Sequence, residues 1–125
     1  MKTWFGMFAF LLFFVPSFSE EQPSEAVVSI LETLLQATID NDLRAFESVC
    51  DEAMNAAITP EMLKGVNARL SGLLQAGYQP TFMGILDRIA FKTYLWKIDL
   101  STEGAADLLA ELSVKGEKAA GFMLK

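Results

Sequence analysis

From Ser24 onward the apolar positions follow a helical rhythm, and past Gln79 an alternating one. Val27, Ile30, Leu31, Leu34 and Leu35 recur at spacings of three and four, which lays one apolar stripe along a helix. Ser24 is a natural N-cap for it, and Glu25 sets an anion at its positive end. This helix is expected to run to about Ile39. Asp40-Asn41-Asp42 forms a turn and cap cluster. It opens a second helix with Leu43, Phe46, Val49 and Cys50 on one side, ending between Met54 and Ala57. Thr59, Pro60 and Glu61 provide the cap, first-turn proline and acid of a third helix. Leu63, Val66, Leu70, Leu73 and Leu74 are its buried stripe, and Gly77 suits the left-handed residue beyond its end. Gly65 and Gly72 lie inside it, each costing up to about 1 kcal/mol against alanine. Close approach of another backbone is the expected compensation.

The alternating half reads as strands. Pro80 can only begin a strand or sit at a sheet edge. Thr81 to Ile89 is the first strand, and the chain bends at Ala90 or Phe91 into a second that ends at Leu100. Ser101 to Ala105 is a polar turn, Leu108 to Lys115 a third strand, and Gly116-Glu117 a tight hairpin connection. Lys118 to Leu124 is the fourth. The predicted fold class is therefore α+β, with three helices packed on a curved antiparallel sheet of about four strands. In the second strand Tyr94, Trp96, Ile98 and Leu100 share one face, and Phe91, Thr93, Leu95, Lys97 and Asp99 the other. In the fourth, Ala120, Phe122 and Leu124 oppose Ala119, Gly121 and Met123. Apolar side chains on both faces predict a dimer interface or a lined cavity.

The first 19 residues read differently. MKTWFGMFAFLLFFVPSFS has one cation, an apolar run from Trp4 to Val15, and Ser17 and Ser19 at −3 and −1 of a cut after Ser19. That is the layout of a secretory signal peptide. The run is too short for a bilayer core that needs roughly 20 residues. Glu20 stands where a lipoprotein signal would need cysteine. The expected organisation is a signal peptide over 1–19 and one α+β domain over 20–125. The domain is exported, periplasmic or secreted, with no stable membrane span after cleavage.

Charge and composition narrow the chemistry. The chain has 10 basic and 16 acidic residues, a net charge of −6. An acidic domain without a basic cluster repels phosphate backbones, so nucleic acid is not an expected partner. There is no histidine and a single cysteine, Cys50. This removes Ser-His-Asp and Cys-His catalysis, intrachain disulfides, and the usual zinc ligand sets. No metal or cofactor is expected. Cys50, on the apolar stripe with Phe46 and Val49, is expected to be a buried, inert thiol.

Three segments resemble the nuclear transport factor 2-like superfamily, the cystatin-like fold that includes ketosteroid isomerases and polyketide cyclases. They are ATIDNDLRAF from Ala37 to Phe46, TPEMLKGVNARLSGLLQAGY from Thr59 to Tyr78, and the closing hairpin LLAELSVKGEKAAGFMLK from Leu108 to Lys125. The last two are most similar to small secreted members of unassigned function. The resemblance implies a pocket between the curved sheet and the helices, and a homodimer through the outer sheet face. None of the three segments is a catalytic signature, so the resemblance speaks to fold more than to function.

The isomerases of that superfamily pair a carboxylate base with a neutral donor in an apolar cavity. Asp99, Asp87, Tyr94 and Tyr78 are the residues of suitable type here. Asp99 and Arg88 could meet across neighbouring strands, with a rim ion pair as the plainer reading. Asp40, Asn41 and Asp42 fall short of the six to eight ligands calcium takes, and helix capping suits them better. Tyr78, Tyr94 and Trp96 are the candidates to line a ligand cavity, and core packing accounts for Tyr94 and Trp96 as well. Glu47, Asp51 and Glu52 read as a solvated helix face. The leading expectation is a non-enzymatic exported domain that binds a small apolar ligand or a protein partner, as a homodimer. Its rivals are an isomerase- or cyclase-like enzyme with Asp99 or Asp87 as base and Tyr94 as donor, and a purely structural assembly module.

Overall fold

A computed structural model describes residues 21–125. The expected signal peptide and its cut after Ser19 lie outside the described residues. Among the described residues four helices come first: α1 Glu25–Asp40, α2 Leu43–Ser48, α3 Glu52–Ala57 and α4 Pro60–Gln75. Four strands follow: β1 Tyr78–Asp87, β2 Lys92–Leu100, β3 Leu108–Lys115 and β4 Lys118–Leu124. They form one antiparallel sheet in chain order, so β1 and β4 are its open edges.

The caps act as their residue types dictate. The side chains of Ser24 and Thr59 accept from Val27 N and Met62 N, and Asn41 ends α1 in the left-handed conformation. Asp42 accepts from Ala45 N and Asp40 from the Gln36 amide, so the Asp40-Asn41-Asp42 cluster is spent on helix ends. Gly77 sits at φ 127°, and a Cβ there would come within 2.6 Å of Ser101 Oγ.

The α1 stripe, with Leu63, Leu70 and Leu74 of α4, packs on Trp96, Ile98, Ala110 and Leu112 of the sheet. The amide of Asn67 ties α4 to the end of α1 by donating to Thr38 O (2.9 Å) and Ile39 O (3.0 Å).

Four expectations are corrected. The single helix foreseen after Asp42 is two, because Asp51 is itself an N-cap, its side chain accepting from Met54 N at 2.9 Å. The chain between α2 and α3 straightens and pairs with the sheet, so Asp51 is not part of a solvated helix face. Strand β1 begins at Tyr78 rather than Thr81, already paired opposite Leu100, and stops at Asp87, whose carboxylate accepts the Ile89 N–H and turns the chain. Beyond their own helical turns, Gly65 and Gly72 have no atom within 4 Å of where a Cβ would stand, so no close approach of another backbone accounts for them. Finally, Ala119 does not share a face with Gly121 and Met123. A bulge between Ser113 and Val114 on the β3 side leaves Ala120 as the extra residue of β4. This reverses the side-chain parity, and Ala119 is fully buried. A second irregularity lies between Phe82 and Gly84 of β1.

Candidate functional site

The candidate site is built where α3, α4 and β4 meet. After α2 the backbone of Val49–Asp51 runs beside the start of β4 as a one-residue parallel bridge. Ala119 N donates to Val49 O and Asp51 N donates to Ala119 O, each at 2.8 Å. The Asn55 side chain braces this clasp by donating to Glu47 O at 3.2 Å and Cys50 O at 3.5 Å. Asp51 then caps α3, so α3 departs from the position a neighbouring strand would occupy.

Because α3 and the start of α4 stand off from β4 beyond the clasp, a groove remains. It has two contiguous lobes of about 230 Å3 and about 380 Å3. Both are walled by Met54, Ile58 and Met62 on the helical side and by Phe122 and Met123 on the strand side. Met62 is 52% exposed, whereas Met123 borders the groove from the strand edge and, opposite Glu111, lies on the outer sheet face by register. Unbranched, polarizable methionine side chains adapt to irregular apolar surfaces. The deeper lobe also reaches Thr38 and Arg69. The Thr38 hydroxyl is engaged with Leu34 O at 2.8 Å. Arg69 is thus the one charged side chain among the described residues that line the groove, and it makes no ion pair within 4 Å with them.

Behind the clasp lies Cys50, buried, with its thiol donating to Phe46 O at 3.2 Å. Burial, and then the negative charges of Asp51 and Glu47, push its pKa up to about 11. A thiol held neutral is a poor nucleophile.

The sequence-predicted residues lie elsewhere. Asp99 stands opposite Gln79 and pairs with Lys97 at 3.4 Å, with both side chains nearly half exposed. Arg88 follows Asp87, which stands opposite Lys92, seven residues from Asp99 along β2. That is about 23 Å at the usual strand rise. The expected Asp99–Arg88 meeting is therefore not formed. Asp87 shares the helix-side face with Tyr94 by register, but it is exposed and turned towards Ile89 N. Neither carboxylate lines the groove.

Tyr94 and Trp96 are brought together with Phe82 in an aromatic cluster. Phe82 and Trp96 meet edge-to-face at 5.6 Å, and Tyr94 and Trp96 stack at 6.1 Å. Trp96 is 3% exposed, so this cluster fills space rather than lining it. Tyr78 sits apart, in a shallow cleft with Gln36, Ile39 and Gly77. Its pKa is raised by burial and then by the Glu32 charge. Sequence reading missed the groove residues Met54, Met62 and Met123. The available signal was Asp51 three residues before Met54, an N-cap spacing within what read as one helix.

Comparison with protein-family models, curated proteins and solved structures finds no match for this chain. Among the described residues no helix is long and apolar enough to cross a membrane, and no cluster of three or more acidic or cysteine side chains is placed to hold a metal ion.

Proposed function

We propose that the protein is an exported, non-enzymatic binding domain that takes an apolar ligand in the groove between α3, α4 and β4. The observation that carries this reading is a continuous apolar recess, walled on the helical side by Met54, Ile58 and Met62, with Met62 half exposed while most large apolar side chains among the described residues are buried or half-buried. Leaving such surface in water has a cost that burial by a ligand recovers, at roughly 25 cal/mol per Å2. Export rests on the leader pattern of residues 1–19.

The nuclear transport factor 2-like reading draws support from helices laid on one face of an antiparallel meander, and the homodimer from Leu86 and Met123, exposed on the outer sheet face. That face is also crossed by polar pairs, Lys97–Asp99, Lys125–Glu111 and Thr93–Ser113. The isomerase-like alternative has less behind it, since Asp87 and Asp99 are both solvated.

The test is titration with dodecanoate followed by native mass spectrometry, beside the Met62→Glu variant. The expected result is a one-to-one adduct that Met62→Glu loses. Equal binding by both proteins would place the ligand elsewhere.

A further inference from the structure

The groove has a second property that side chains alone do not reveal, because one of its walls is a strand edge. Leu109 and Lys125 exchange both backbone hydrogen bonds, at 2.7 and 3.0 Å. In an antiparallel ladder such pairs alternate along the strand. Gly121 and Met123 therefore turn their backbone groups towards β3, as Lys125 does. Phe122 and Leu124 turn theirs outward, and among the described residues nothing bonds to them. The same edge is already used once, where the clasp at Val49–Asp51 pairs with Ala119. The clasp ends when the chain turns into α3, and the edge stays open for the two outward residues beyond it.

We propose that β4 accepts an extended peptide segment of a partner protein as an added strand, bonded to the backbones of Phe122 and Leu124. Its alternate apolar side chains enter the groove beside Met54 and Met62. This rests on the reading of the groove as a binding site. Strand addition gets affinity from main-chain bonds and selectivity from pockets for alternate side chains, and both components are present here. Charge selects further. The lining holds Arg69 and no acid, in a chain of net charge −6, so the favoured segment is apolar and carries a carboxylate near one end. A second folded copy is a poorer occupant, because it brings its own α3 to the same edge.

The experiment uses the purified protein and a synthetic pool of random octapeptides, with the retained fraction sequenced. Amide hydrogen exchange is then followed with the best retained peptide. Retention of alternating apolar sequences with one Asp or Glu is expected, together with slowed exchange at Phe122 and Leu124. Leu124→Pro removes an outward N–H that no ladder bond uses, and should weaken the peptide about tenfold, the scale of one hydrogen bond. Its melting temperature reports separately on folding, and N-methylation of alternate peptide amides repeats the test with the protein unaltered. If dodecanoate binds in a Met62-dependent way but no peptide is retained, strand addition is overturned and the groove reading survives. If neither binds, both fail. Protection of Phe122 and Leu124 that rises with protein concentration, with no peptide present, would give the edge to a second copy and overturn the peptide.

Discussion

The helix–sheet interface is finished differently at its two sides. Towards β1 the space is filled by the chain's own aromatics, with Phe82, Tyr94 and Trp96 in mutual contact. Towards β4 the Phe46–Phe122 edge contact at 6.2 Å closes the core, and beyond it lies a methionine-walled groove. The edges differ in the same sense. β1 carries Pro80, which has no N–H to offer, and an irregularity at Met83 that spoils a flat template. β4 from Ala119 to Leu124 bears no charge, and only its start is covered, by the Val49–Asp51 clasp. The β1 side contributes stability through packing, whereas the β4 side keeps apolar surface unfilled and, among the described residues, backbone groups unpaired.

The strongest way to break this contrast is Trp96→Ala. It should cost about 3–5 kcal/mol, the usual range for a buried aromatic, read by chemical denaturation, because Trp96 is buried on the filled side. A loss below 1 kcal/mol would mean that the aromatic cluster is not the packed side.

The next effect is a pH dependence from behind the clasp. The folded Cys50 thiol titrates near 11 against an ordinary 9.0. Between these values the unfolded chain gives up a proton that the folded chain keeps. Stability is therefore intact below about pH 9 and falls as pH rises through about 11, by on the order of 2 kcal/mol. Tyr78, raised in the same direction, adds to the slope. Melting curves from pH 8 to 11 should flatten in Cys50→Ala, and an unchanged slope would mean that Cys50 is not sealed behind the clasp.

Asp51→Ala removes the cap that turns the clasp into α3, and should cost about 1 kcal/mol while speeding amide exchange at Ala119. Exchange there that is as slow as in the parent would separate the cap from the clasp. Smallest in stability is Met62→Ser, expected within about 0.5 kcal/mol as for other exposed positions. It should nevertheless weaken groove ligands, and that split between stability and binding is what distinguishes the two sides.

Much of the fold was legible locally. Ser24, Asp42, Thr59 and Pro60 mark helix starts by chemistry within four residues. The stripe Val27-Ile30-Leu31-Leu34-Leu35 identifies the buried face of α1, and Gly116 with Glu117, both at positive φ, forms the expected tight turn. The candidate site was much less legible. Asp51 looked like one more acid on an exposed face, because its capping role depends on the chain leaving the helix first. Asp99 and Arg88 looked like potential neighbours because the strands pair, and register sets them at opposite ends.

The sequence by itself determined which segments are helical or extended, where α1, α2 and α4 start, the acidic charge, and the absence of histidine, since each depends on residue type and short spacing. Only the tertiary structure decided the parity of β4, the clasp of Val49–Asp51 on Ala119, and the groove that results. A one-residue bulge moves Ala119 from one face to the other, and the clasp joins residues about 70 positions apart. Neither leaves a periodic trace in the chain, because both are settled by which backbone groups find partners once the helices and the sheet have met.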